Sequence, residues 1–121
     1  MLGRLNHVAI AVTDLKSAAN TYRYILGAKV GEPLDQPEHG VTVVFIELPN
    51  TKVELITPLG ESSPIFNFFN KNQNGGIHHI CYEVKNLDLS MSILMKNNYK
   101  IIGDNPKIGA HGKPVIFLHP S

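Results

Sequence analysis

Two stretches of this chain repeat each other at one constant spacing. Leu5-Asn6-His7-Val8-Ala9-Ile10-Ala11-Val12 aligns with Ile77-His78-His79-Ile80-Cys81-Tyr82-Glu83-Val84 at a shift of 72 positions. The same shift sets Asp14-Leu15 on Asn86-Leu87, Val30 on Ile102 and His39-Gly40 on His111-Gly112. It also sets Val43-Val44-Phe45-Ile46 on Val115-Ile116-Phe117-Leu118. A doubled chain of this kind builds two copies of one supersecondary unit about a pseudo-twofold axis. His7 and His79 then occupy equivalent places, from which both imidazoles can reach one ion.

The length suits one domain, 1–121, made of a first module (5–58), a bridge (59–76) and a second module (77–121). A net charge of +1 gives no case for a nucleic-acid partner or an anionic membrane surface. The single cysteine, Cys81, excludes an internal disulfide framework and suits a reducing compartment. No apolar run reaches the roughly 18 residues of a membrane span. The first residues lead straight into a strand, so no signal or transit peptide is expected. A processed precursor is compatible with this.

Residues 5–12 read as a strand with two unlike faces. Val8, Ile10 and Val12 are bulky on one side, while His7, Ala9 and Ala11 leave room on the other. Thr13-Asp14 offers an N-cap, Leu15, Ala18, Ala19, Tyr22 and Leu26 recur at helical spacing, and Gly27 stops the helix. A short strand is expected at 28–31, a loop at 32–40, and strands at 41–48 and 52–57 about the Pro49-Asn50 turn. The bridge holds a short apolar helix from 64 to about 69. The second half gives a strand at 77–84, a helix at 87–97, a short strand at 100–102, a Gly/Pro/Lys loop and a strand at 114–119. It stops where the counterpart of the 52–57 strand should begin.

Glu54 sits between Val53 and Leu55, where a carboxylate is costly unless it is paired, exposed or bound to metal. Taken alone it could equally face water, and a lone strand histidine is more often a hydrogen-bonded core residue. Together the three point to metal. His7 and His79 are repeat mates on the small-residue face, and Glu54 lies on the strand expected beside His7. Imidazole and carboxylate donors suit Co²⁺, Mn²⁺, Ni²⁺ or Zn²⁺. Symmetry calls for a fourth ligand, a carboxylate 72 positions after Glu54 and so beyond Ser121.

Other candidates are less specific. Strand alternation turns His78 to the opposite face from His79, a structural position. Cys81 shares the face of His79 as a small hydrophobe, and Glu83 lies toward an exposed end. The loop with Lys107, His111 and Lys113 either cradles an anionic group or is an ordinary turn with solvated lysines. His39 and His111 are edge-of-site groups or turn residues. Phe66, Phe68 and Phe69 form a plug under the bridge or a lid.

These segments, with Pro37-Glu38-His39-Gly40-Val41, Lys52-Val53-Glu54-Leu55, Gly75-Gly76-Ile77-His78-His79-Ile80-Cys81 and the run from Lys107 to Pro120, carry a resemblance. The chain resembles the vicinal-oxygen-chelate (glyoxalase/bleomycin-resistance/dioxygenase) superfamily and, within it, the methylmalonyl-CoA epimerase family, over essentially its whole length. The resemblance implies an α+β fold of two tandem βαβββ modules whose curled mixed sheet surrounds a metal cavity. His7 and His79 match the family's metal-binding histidines, and Glu54 matches a ligand position holding Gln or Glu. The family continues past His119-Pro120 into a strand with a metal-binding glutamate. An acid/base glutamate of some bacterial relatives aligns with Val43, so that route is closed here.

The implied activity is interconversion of (2R)- and (2S)-methylmalonyl-CoA by metal-assisted removal and return of the C2 proton, in propionyl-CoA catabolism. Glu54 is the acid/base candidate, with a second group expected beyond Ser121. The activity of residues 1–121 alone is left open. The resemblance further implies one divalent ion (Co²⁺ first), a homodimer, and a mitochondrial matrix location in a eukaryote or a cytoplasmic one otherwise. Lys107, His111 and Lys113 become contacts for the acyl-CoA substrate. The alternatives are another metal-dependent lyase or dioxygenase of the superfamily, or a metal-free small-molecule binding or regulatory module.

Overall fold

Both copies of the repeat start their helix with the same hydrogen bond. Asp14 Oδ1 accepts from the Ser17 N–H at 3.0 Å, and Asn86 Oδ1 accepts from the Leu89 N–H at 3.0 Å. Short Asx side chains at the N-cap satisfy amides that the helix itself leaves open. The donors, like the caps, are spaced by the repeat.

The computed structural model describes residues 2–119. Its elements run β1 (Leu2–Ala11), α1 (Leu15–Asn20), continued by one π-helical turn (Thr21–Ile25), β2 (Lys29–Val30), β3 (Leu34–Gln36), β4 (Val41–Glu47), β5 (Lys52–Pro58), α2 (Phe66–Lys71), β6 (Gly76–Val84), α3 (Leu87–Lys96), β7 (Ile101–Ile108) and β8 (Pro114–Leu118). The expected α+β class holds. A mixed six-stranded sheet has the order β2-β4-β5-β1-β6, with β3 added to β4, and β7 pairs with β8 in a separate hairpin. No described helix is long and apolar enough to cross a membrane.

The described residues form two compact units, one of Leu5–Tyr82 and one of residues 2–4 with 83–119. In the first, β1 and β5 run parallel, with Val8 opposite Val53, Ala9 opposite Glu54 and Ile10 opposite Leu55. Side chains of paired residues share a face. One face therefore carries Ile10, Val12, Val53, Leu55, Val44 and Ile46, and packs on Leu15, Ala18, Ala19 and Tyr22 of the helix. Ile46, Leu55 and Val44 are fully buried there. The opposite face carries His7, Ala9, Lys52, Glu54 and Phe45. The helix-packed core occupies one side of the sheet; the other, where Ala9, Ala11, Val43 and Ile56 are also buried, carries His7 and Glu54.

Two segments differ from the sequence reading. Within the expected loop 32–40, Leu34–Gln36 pairs with Val41–Val43 as a hairpin. The Thr42 hydroxyl donates to Asp35 Oδ1 at 2.8 Å, and the His39 N–H closes the turn on the Gln36 carbonyl at 3.0 Å. Pairing to an existing edge supplies the backbone bonds that composition alone did not signal. In the second unit, β7 runs on to Ile108 because β8 pairs with it across a register shift between Ile102 and Lys107. Gly103, at φ 82, lies in that irregular stretch.

Candidate metal centre

Three neighbouring strands of the first unit deliver the three predicted ligands. β5 carries Glu54, β1 carries His7 and β6 carries His79, in the sheet order β5-β1-β6. His7 lies opposite Lys52, so Glu54, two residues further along β5, is its diagonal neighbour on the same face. His7 Nε2 stands 3.3 Å from His79 Nε2 and 3.7 Å from Glu54 Oε2. One donor atom from each residue falls within 4.8 Å of the others. His7 and Glu54 are only 5% and 6% exposed, so these donors converge away from bulk solvent.

The donor geometry fits a first-row ion. Bonds of about 2.1 Å place neighbouring donors roughly 3–3.5 Å apart, close to the separations found here. Asn6 Oδ1 only accepts, so its 2.8 Å contact with His7 Nδ1 puts the proton there and leaves Nε2 as the donor toward an ion. Burial pushes the Glu54 carboxyl from 4.5 up to about 7, with Lys52 pulling partly back. Burial also pulls His79 from 6.5 down to about 4, helped by His78 and His7. Each group is driven toward its neutral form for want of compensating charge. A cation at the point of convergence reverses the carboxyl shift and uses the neutral imidazole as it stands.

The other predicted residues fall elsewhere. Lys107, His111 and Lys113 belong to the second unit, around the β7–β8 turn. There His111 Nδ1 accepts from the Lys113 N–H at 3.1 Å, and the Gly109 N–H bonds to the Lys113 carbonyl at 2.9 Å. His39 forms part of the turn between β3 and β4. Phe66, Phe69, Thr13, Pro58 and Gln73 line an open groove of about 430 Å³, while Phe68 packs edge-on against Phe69 and His78. The fourth ligand expected 72 positions after Glu54 lies outside the described residues.

Four side chains matter more than the sequence reading allowed. His78 brings its ring against that of His79, with Nδ1 atoms 2.8 Å apart, although simple alternation sends the two side chains to opposite faces. Lys52 stands over the Phe45 ring at 5.6 Å, and Phe45 meets the His7 ring edge-on. Asn6 orients His7. The signal for Asn6 and His78 was present in the repeat, since 72 positions separate them as well.

Known proteins place this arrangement. The family model of the glyoxalase/bleomycin resistance protein/dioxygenase superfamily matches residues 6–117, and the chain belongs to that superfamily. Within it, the chain is 62% identical over 121 residues to an ethylmalonyl-CoA/methylmalonyl-CoA epimerase of Cereibacter sphaeroides, covering 99% of this chain and 90% of that one. It is 59% identical over 119 residues to the mitochondrial methylmalonyl-CoA epimerase of Homo sapiens, covering 98% and 68%. A variant of Streptomyces coelicolor methylmalonyl-CoA epimerase, solved in complex with 2-nitronate-propionyl-CoA, superposes with a TM-score of 0.91 at 26% identity, covering 99% of this chain and 89% of that one.

Proposed function

We propose that this chain interconverts the (2R) and (2S) epimers of methylmalonyl-CoA, with His7, Glu54 and His79 holding one divalent ion. The observation that carries the reading is the convergence of His7 Nε2, Glu54 Oε2 and His79 Nε2 in a chain so similar to named epimerases. The C2 proton lies between a thioester and a carboxylate, so its loss gives an enolate spread over their oxygens. A bound divalent ion supplies Lewis-acid stabilisation to that developing charge.

The chain's own residues do the rest. Asn6 holds the His7 ring so that Nε2 faces the centre. Ala9 and Ala11 keep the face beside His7 free of bulk. Glu54 is the acid/base candidate for one face of C2, and a second acid/base group serves the other. Lys107, His111 and Lys113 supply cationic and imidazole contacts for the coenzyme A phosphates. Co²⁺ is the first choice of ion, with Mn²⁺, Ni²⁺ and Zn²⁺ as alternatives, and the working form is a homodimer. The compartment is the mitochondrial matrix in a eukaryote and the cytoplasm otherwise.

The test is to incubate the protein with methylmalonyl-CoA in D₂O. Deuterium should enter C2 as the epimers interconvert, stop on chelation, and return on addition of Co²⁺. A protein that binds one equivalent of metal at His7 and His79 yet exchanges no C2 proton would overturn the proposal.

A further inference from the structure

An imidazole can offer either ring nitrogen to an ion, and the hydrogen bond at the other nitrogen decides which. His7 and His79 both turn Nε2 to the centre, 3.3 Å apart. Each is met at Nδ1 by the residue immediately before it: Asn6 Oδ1 at 2.8 Å from His7 Nδ1, and His78 Nδ1 at 2.8 Å from His79 Nδ1. Asn6 and His78 are repeat mates, 72 positions apart. Two different side chains thus meet Nδ1 at the same place in each half.

We infer that Asn6 and His78 are paired positioning residues, holding the Nδ1 protons of His7 and His79 so that both Nε2 lone pairs point at one divalent ion. The inference rests on the metal reading above and extends it to the atoms behind the ligands. His78 is held for this task. Its ring packs edge-on against Phe68 (centroids 5.1 Å apart, 73° between planes), and Phe68 is itself edge-on to Phe69. Phe68 belongs to α2, which anchors a ring that strand alternation alone leaves pointing away.

The proton count is balanced. Without an ion, the Nε2 pair is satisfied when His79 Nε2–H donates to His7 Nε2 and His79 Nδ1 accepts from His78 Nδ1–H. With an ion, His79 carries its proton on Nδ1 and donates it to His78, which carries its own on Nε2. Each ring keeps one proton in both states. Loading the site is therefore a tautomer exchange across His78 and His79, with no net proton released by these two rings.

The experiment titrates the protein with Co²⁺ alone, followed by its visible absorption, and reads histidine tautomers by ¹H–¹⁵N NMR with Zn²⁺. His78→Phe keeps a ring against Phe68 but offers no acceptor, and should weaken Co²⁺ affinity about 10–100-fold. His78→Asn restores the short acceptor that Asn6 provides, and should return affinity to within about threefold of wild type. Zn²⁺-loaded wild-type protein should show the His79 proton on Nδ1, a reading that needs no variant to fold. Wild-type affinity in His78→Phe, equal losses in both variants, or an Nε2 proton on loaded His79 would each refute the inference. A wild-type protein that binds no Co²⁺ would instead sink the metal reading itself.

Discussion

Replacing Glu54 by Gln should make the metal-free protein more stable in alkali while weakening its stabilisation by metal, because a neutral amide oxygen replaces a carboxylate donor. The carboxyl is 6% exposed, and burial raises its pKa from 4.5 to about 7. A raised carboxyl pKa means that folding favours the protonated form. Its contribution is fully present below 4.5 and is lost as pH rises through about 7. At about 1.4 kcal/mol per pH unit, that gap is worth roughly 3 kcal/mol by pH 8. Glutamine keeps the shape and cannot ionise. Wild type and Glu54→Gln should therefore match near pH 4.5 and diverge to roughly 3 kcal/mol in favour of the variant by pH 8. His79, whose pKa is lowered to about 4, destabilises the fold as pH falls below 6.5, but it is present in both proteins and largely cancels in the difference. Urea unfolding with chelator at pH 5 and pH 8 measures the effect. With Co²⁺ at a thousandfold excess over Kd, wild type should instead gain about 4 kcal/mol, and the variant much less. Parallel pH profiles for the two metal-free proteins would refute the claim that Glu54 is held at a desolvation cost.

Other consequences follow from the same geometry. Lys52→Met removes the ammonium that lowers the Glu54 pKa, so a ¹³C NMR titration of the metal-free protein should move the Glu54 midpoint further above about 7; an unchanged midpoint rejects the coupling. Leu55→Ala opens a cavity at a fully buried position of the sheet–helix core and should cost about 2–5 kcal/mol in urea unfolding. Gly75→Ala places a methyl 2.2 Å from the Ala11 carbonyl oxygen at φ +83, and should lower stability by more than about 2 kcal/mol while weakening Co²⁺ binding, because this turn leads into β6. Asp14→Ala and Asn86→Ala should each cost about 1 kcal/mol, since they remove equivalent caps; a loss confined to one helix would break the equivalence.

The repeat made much of this legible before any coordinates. Spacing paired His7 with His79, Thr13-Asp14 signalled the first N-cap, and strand alternation showed which face of 5–12 was small. Glu54 was placed on the strand expected beside His7, and what the spacing could not supply was the direction and register of that pairing. Glu54 reaches His7 because β5 runs parallel to β1 and sets Ala9 opposite Glu54, a choice made by crossover topology. The strand Leu34–Gln36 was invisible for a related reason: its residues have little strand character, and only a partner edge makes them a strand.

His78 shows where period-two reasoning gives way. Alternation assigns the direction of a Cβ, not the final position of a ring that rotates about two side-chain bonds. At β6 the His78 ring is turned to meet His79, with Phe68 against it. The duplication is the better guide here, because it asks what Asn6 does for His7 and looks for the same service 72 positions later. An amide oxygen and an imidazole nitrogen share no volume or pKa, yet each can take a proton from Nδ1. A repeat that has drifted in residue type can thus preserve the one hydrogen bond that tells each ligand which nitrogen to present.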